Sequence, residues 1–205
     1  MMRLGLPKGR LLEGVLGRLE RAGVSFQFDS DRHYKPASSD PAISAKLFKA
    51  RAIPQLLALG NIDLGFTGLD LVAEAGYEQI TDLLDLELNR VELVVAVARA
   101  ERDLLKSPPR RPVVIATEYE QLAARWAMEH QLAHIAIQTH GSTEAYLPED
   151  ADIIFDCTET GATLAANDLV IIDRLMVSTT HLFANKLALE SNPAVARFAA
   201  RLERS

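Results

Sequence analysis

The chain has 205 residues, 48% of them hydrophobic and 24% charged, and a formal net charge of -6. These proportions belong to an ordinary folded protein of one large domain or two small lobes, and they exclude a disordered or low-complexity chain. The net negative charge argues against a general nucleic-acid binder, which needs a basic face, but leaves room for a local basic pocket that holds phosphates.

No apolar run approaches the about 20 residues that a membrane helix requires. The apolar start, Met1-Met2-Arg3-Leu4-Gly5-Leu6, is broken by Pro7 and Lys8 well short of a signal peptide. A single cysteine, Cys157, excludes an intramolecular disulfide and a cysteine-ligated zinc site. A reduced, soluble, cytoplasmic protein is expected, with neither nucleic acid nor membrane among its partners.

Along the chain, short apolar runs alternate with segments of helical period, the pattern of α/β folds with largely parallel sheets. Residues 4–6 read as a strand. Leu11, Leu12, Val15, Leu16 and Leu19 fall at helical spacing, and Gly23 stops that helix. Pro54 sits at a favourable first-turn position of a short helix over 53–59. A strand over 62–66 and a helix over 68–75 follow. The run Val-Glu-Leu-Val-Val-Ala-Val over 91–97 is the strongest strand signal in the chain.

Residues 99–111 are polar and lead into Pro108-Pro109-Arg110-Arg111-Pro112, which reads as a connector. A second series follows: strand 113–116, helix 119–129, strand 135–137, strand 152–156 and helix 163–167. Residues 169–172 and 176–184 read as the last two strands, and 193–202 as a closing helix. Two lobes are expected, the first of residues 1–96 with a returning segment 177–205, the second of residues 97–176. A chain that crosses twice makes a cleft, and ligands of open α/β sheets bind beyond the carboxyl ends of the strands.

The most informative segment is Asp156-Cys157-Thr158-Glu159-Thr160-Gly161-Ala162-Thr163-Leu164. An apolar strand runs into an acidic residue, then a turn with hydroxyls and a glycine, then a helix. This construction suits a phosphate monoester: amides and Thr hydroxyls donate, and Gly161 lets the backbone approach closely. Asp156 is placed to accept from ribose hydroxyls. The competing reading is an ordinary turn with Thr160 or Thr163 as helix cap.

In Leu6-Pro7-Lys8-Gly9-Arg10-Leu11, two cations flank a glycine between the first strand and the first helix, where they could hold a polyphosphate. The competing reading is a solvated loop. In Asp63-Leu64-Gly65-Phe66-Thr67-Gly68-Leu69-Asp70, Thr67 is a possible ligand contact and Asp63 is expected on the surface.

These three segments, in this order, resemble the ATP phosphoribosyltransferase family, which catalyses the first step of histidine biosynthesis. Lys49-Ala50-Arg51-Ala52-Ile53-Pro54, Leu83-Leu84-Asp85-Leu86, Ile115-Ala116-Thr117-Glu118-Tyr119, Gly141-Ser142-Thr143-Glu144 and the segment Ser178 to Asn185 extend the resemblance over nearly the whole chain. It implies a two-lobed, periplasmic-binding-protein-like (type II) α/β fold. It also implies transfer of the phosphoribosyl group of phosphoribosyl pyrophosphate to N1 of the adenine of ATP, with Mg²⁺ carried on the substrates.

By the same resemblance, Thr158, Thr160, Gly161, Ala162, Thr163 and Leu164 would take the 5-phosphate of the donor. Asp156 would take its ribose hydroxyls, and Glu144 would line the donor side. Lys8, Gly9, Arg10, Arg32, Lys49, Thr67 and Gly68 would serve pyrophosphate and ATP, with Lys8, Arg10 and Asp156 the residues on which turnover depends. No nucleophilic side chain or obligatory general base is needed, so His33, His130, His134, His140 and His181 are expected in structural or solvated roles.

Some positions depart from the family pattern: Lys49 stands where an arginine is expected, Ala52 for an aspartate, Glu118 for a lysine and Glu120 for a proline. The stretch from Glu144 to Asp152 also differs from the usual form. Long members carry a regulatory domain after the catalytic lobes. A chain ending at Ser205 therefore resembles the short form, a homodimer within a hetero-oligomer with a subunit similar to a histidyl-tRNA synthetase. Leu86 and Leu88 are expected as exposed apolar positions suited to an oligomer. The rival reading is a cytoplasmic two-lobed sensor for an anion or nucleotide, or an inactive paralogue.

Overall fold

The computed structural model describes residues 1–30 and 33–205. In chain order it contains β1 (Met2–Pro7), α1 (Leu11–Arg21), β2 (Phe26–Gln27), β3 (Ala37–Ser38), β4 (Ile43–Phe48), α2 (Ile53–Ala58), β5 (Leu64–Gly68), α3 (Leu69–Ala75) and β6 (Ile80–Ala98). There follow β7 (Val113–Thr117), α4 (Glu120–Glu129), β8 (His134–Gln138), β9 (Ile153–Thr158), α5 (Ala162–Ala166), β10 (Leu169–Asn185), α6 (Lys186–Ser191) and α7 (Pro193–Glu203).

These elements form two compact units, Met1–Arg90 with Thr179–Ser205, and Val91–Ser178. The chain passes between them inside β6 and inside β10, after Arg90 and after Ser178. The lobes expected from sequence have these passages after residues 96 and 176.

In unit 1, β4, β1 and β5 are parallel neighbours, and β10 lies antiparallel against β5. One face of this sheet buries Leu4, Leu6, Leu64 and Phe66 against Val15 and Leu19 of α1 and Val195, Phe198 and Leu202 of α7. The other packs Ile53 and Leu57 of α2 with Ile62 and Phe183. Gly5 and Gly65 are paired across β1 and β5. A methyl group on Gly65 would come within 2.6 Å of the Ile53 side chain, so α2 packs this closely only over a bare backbone. Asn185 and Asn192 cap α6 and α7, accepting from the amides of Ala188 and Ala194 at 2.9 and 3.1 Å.

In unit 2, β9 runs antiparallel to β6, and β7 lies parallel between β9 and β8. Val94, Ala96, Ala116, Ile154, Leu164 and Leu169 form one apolar cluster. Helix α4 buries Ala123, Trp126 and Ala127, with Trp126 edge-on to Phe155 at 6.4 Å.

Four expectations are corrected. Residues 169–172 and 176–184 belong to one strand, β10. The residues left between the two expected strands are partnered side chains of a continuous strand: Asp173 accepts from the Trp126 indole at 2.7 Å, and Arg174 pairs with Glu92. Strand β4 is absent from the sequence-based expectation, although Ile43 to Phe48 alternates buried and exposed residues. Asp63 is buried rather than on the surface, where its carboxylate accepts from the Arg3 amide at 2.7 Å and pairs with the Arg3 guanidinium. Leu86 is buried in the core of unit 1, and Leu88 packs against that core.

Candidate active site

The carboxyl end of β9 is fastened by a threonine at the end of its neighbour β7, which is itself held from beyond β8. Thr117, the last residue of β7, donates its hydroxyl to the Phe155 carbonyl at 2.7 Å and accepts from the Tyr119 amide at 2.8 Å. The amide of Thr139, just beyond β8, donates to the Thr117 carbonyl at 2.9 Å. The hydroxyls of Thr139 and Thr143 lie 3.1 Å apart. All three threonines are buried, as β-branched residues at strand ends can be when each hydroxyl has a partner.

Burial pushes the Asp156 carboxyl above its ordinary value. The Thr143 hydroxyl and the Cys157 amide, 2.7 Å from Oδ1, oppose that push, while the carboxylates of Glu118 and Glu144 add to it. A group of this kind accepts hydrogen bonds from neutral hydroxyls well and would repel an unscreened phosphate. That suits a ribose rather than a phosphate as its neighbour.

Beyond Asp156 the chain turns through Gly161, whose φ of +74° is the left-handed conformation that favours glycine. Gly161 is itself the N-cap of α5, in place of the Thr160 or Thr163 cap considered from sequence. Its amide donates to the Thr158 hydroxyl at 2.9 Å, and the Ala162 amide donates to the Thr160 hydroxyl at 3.3 Å. A hydroxyl that accepts still has its own O–H to give. Thr160, Ala162 and Thr163 are exposed, and Leu164 anchors the turn in the core of unit 2.

Unit 1 collects its cations at the ends of adjacent parallel strands. Pro7 lies beside Phe48, and the Lys8 amide donates to the Phe48 carbonyl at 2.7 Å. Lys8 and Lys49 thus follow neighbouring strands. The Lys8 ammonium sits 4.2 Å above the Tyr34 ring, which holds the charge without neutralising it. Gly9 has φ +78°, and Arg10 is exposed at the start of α1. Thr67 is fully buried and donates to the Ala50 carbonyl at 2.9 Å, so its proton secures the segment that follows Lys49. Gly68 is the N-cap of α3. Arg32 lies outside the described residues.

His181 is buried on β10, with Nδ1 2.9 Å from Asp82 and its ring stacked on Phe183. His130 places Nδ1 2.9 Å from the Trp126 carbonyl. Tyr34, which holds the Lys8 ammonium, and Thr117, which fastens β9 at Phe155, adjoin candidate site residues and are not singled out by sequence reasoning. Thr117 directly follows an apolar strand run, at the position where the backbone leaves the sheet, and that is the available signal.

The family model described as ATP phosphoribosyltransferase matches residues 49–204. The ATP phosphoribosyltransferase of Natronomonas pharaonis is 37% identical over 198 residues, 95% of this chain and 69% of that protein. That of Desulforudis audaxviator is 36% identical over 191 residues, and there the chain spans only 65% of the relative's length. Among solved structures, the ATP phosphoribosyl transferase (HisG:HisZ) complex from Thermotoga maritima aligns with TM-score 0.86 and 27% identity over 100% of this chain and 98% of that one. A histidine kinase sensor domain with similarity to periplasmic binding proteins aligns at TM-score 0.56 and 14% identity, covering 100% of this chain and 89% of its own, which bears on the fold alone. The chain therefore has the periplasmic-binding-protein type of α/β fold and belongs to the ATP phosphoribosyltransferase family.

Proposed function

We propose that this chain transfers the phosphoribosyl group of phosphoribosyl pyrophosphate to N1 of the adenine of ATP, releasing pyrophosphate in the first step of histidine biosynthesis. The observation that carries the reading is the passage, within unit 2, from the half-buried carboxylate of Asp156 directly into the hydroxyl-lined turn at Gly161. Asp156 accepts from the ribose hydroxyls, and Thr158, Thr160 and Thr163 donate to the 5-phosphate, with Gly161 and Ala162 leaving room for it. Leu164 anchors that turn, and Glu144 lines the donor side.

The adenine lone pair forms the new bond to the anomeric carbon as the bond to pyrophosphate breaks, and the electron pair of that bond leaves on oxygen. Lys8, Arg10 and Lys49 supply positive charge for the leaving group and the ATP phosphates, with Gly9 and Gly68 shaping the turns and Thr67 steadying the Lys49 segment. By the family resemblance, Mg²⁺ arrives on the phosphates of the substrates. When bound there, it neutralises part of the charge that develops on pyrophosphate.

The working assembly is a hetero-oligomer with a regulatory subunit similar to a histidyl-tRNA synthetase. The support is the solved HisG:HisZ complex, one chain of which this one covers to 98%. No helix among the described residues is long and apolar enough to cross a membrane, and the cytoplasm is the compartment proposed for this biosynthetic step.

The test is pyrophosphate release from ATP and phosphoribosyl pyrophosphate with Mg²⁺. Release requiring both substrates is the expected result; saturable binding of either substrate without release would overturn the assignment.

A further inference from the structure

We propose that Tyr119 is a positioning residue: by holding Cys157 it sets the direction in which the Asp156 carboxylate faces the donor. The inference rests on the reading that Asp156 meets the ribose of phosphoribosyl pyrophosphate. It adds to that reading a residue from outside the donor-binding set.

Strand β9 loses a neighbour where its polar residues begin. Its ladder with β7 ends at the pair of Thr117 and Phe155. Its ladder with β6 continues, setting Asp156, Cys157 and Thr158 opposite Val94, Leu93 and Glu92. From Asp156 onward the strand is paired on one side, and a segment with fewer partners opens and twists more readily.

Side chains take over on the β7 side. The Thr117 hydroxyl donates to the Phe155 carbonyl at 2.7 Å, so its one proton is committed, and it accepts from the Tyr119 amide at 2.8 Å. Tyr119 turns back toward the strand, with its hydroxyl 3.2 Å from the Cys157 sulfur. The residues on either side of Asp156 are thus both tied to one short segment. That segment is itself held still, since Thr117 is fully buried and Tyr119 is 6% exposed. Tyr119 is also the N-cap residue of α4, whose Trp126 packs on Phe155.

Successive side chains of a strand point to opposite faces. Phe155 and Cys157 share the face toward α4, and Asp156 takes the other. Fixing Cys157 therefore fixes the rotation of the strand about its axis, and that rotation aims Asp156. Cys157 has a direct link as well, because its amide donates to Asp156 Oδ1 at 2.7 Å. Any displacement of Cys157 moves both the backbone that carries the carboxylate and the hydrogen bond that orients it.

The experiment uses the whole chain with Tyr119→Phe, Cys157→Ala and Cys157→Ser, singly and combined, each first shown to be folded by circular dichroism. Phenylalanine keeps the ring and removes the hydroxyl; serine keeps a hydrogen-bonding group where alanine has none. Calorimetric affinity for phosphoribosyl pyrophosphate should fall about fivefold in Tyr119→Phe and in Cys157→Ala, with ATP affinity unchanged. The two together should lose no more than either alone, because they remove the same contact. Cys157→Ser should recover most of the loss, and only while Tyr119 is present. If Tyr119→Phe does not fold, the comparison of Cys157→Ala with Cys157→Ser carries the test.

Wild-type donor affinity in the folded single variants, losses that add in the double variant, an equal loss with serine and alanine, or an equal fall in ATP affinity would each overturn the proposal. A wild-type chain that binds no phosphoribosyl pyrophosphate would overturn it together with the assigned activity. One that binds this donor yet releases no pyrophosphate would remove the activity alone, and the affinities would still decide the role of Tyr119.

Discussion

Arg111 and Asp152 are joined by two parallel hydrogen bonds, from Nη1 to Oδ2 and from Nη2 to Oδ1, each 2.7 Å long. The pair ties the proline-rich connector to the residue before β9, and Asp152 also accepts from the Val114 amide at 2.8 Å. The Arg111 hydrogen bonds hold the Asp152 carboxyl below its ordinary value. A carboxyl depressed in the folded state contributes stability that is fully present above its unfolded value and is lost as pH falls through its folded value. Asp152→Asn should therefore lower the melting temperature at pH 7 and flatten its fall in acid. A variant whose acid melting profile superimposes on wild type would show that the pair contributes nothing.

Asp156 carries the opposite sign. Burial raises its carboxyl in the folded chain, so its ionisation as pH rises costs stability, and the folded state gains on protonation. Asp156→Asn keeps the shape and removes the charge. It should melt at or above the wild-type temperature at neutral pH while turnover falls. A collapse of the melting temperature would identify Asp156 as a structural residue instead.

Replacing Thr160 and Thr163 together by valine tests the turn at Gly161. Each lost hydroxyl–phosphate bond should cost on the order of 1.5–3 kcal/mol of donor affinity, because the acceptor is charged. ATP affinity should be far less affected. Equal donor affinity in calorimetry would leave the segment as a capped turn with no ligand.

Lys8→Ala and Arg10→Ala should each reduce turnover and raise the Mg²⁺ concentration needed for half-maximal rate, since metal and cations share the charge of the leaving group. Tyr34→Leu should mimic Lys8→Ala weakly, by removing the ring that holds the ammonium. Wild-type kinetics and Mg²⁺ dependence in both alanine variants would leave the loop as solvated surface.

The proposed partnership has its own measurement. The isolated chain should release pyrophosphate at a rate indifferent to histidine, and adding the regulatory subunit should raise activity and introduce histidine inhibition, as coupling between distinct sites requires. Saturable inhibition of the isolated chain by histidine would rule that arrangement out.

Elements with an unbroken periodicity are legible in the sequence. Helix α1 shows its apolar stripe and its Gly23 stop, and β7 and β9 show as apolar runs. The turn at Gly161 is legible because glycine, hydroxyls and a preceding acid coincide within a few residues. What escapes depends on partners distant in sequence. Asp63 looks like a surface acid until Arg3, sixty positions earlier, is folded against it. Asp173 and Arg174 fall in the gap between two expected strands until Trp126 and Glu92 meet them.

The interrupted build of unit 1 has a consequence during synthesis. Val91–Ser178 is one continuous stretch, whereas unit 1 lacks β10 against β5, and Val195, Phe198 and Leu202 in its core, until the residues from Thr179 onward exist. As the chain leaves the ribosome, the unit that comes second in sequence is expected to close first, while β1, β4 and β5 wait with an open sheet edge and an uncovered apolar face. Chains stalled at successive lengths and probed by limited proteolysis should protect residues 91–178 before residues 1–90. Protection in the reverse order would show that the amino-terminal strands collapse without their last partners.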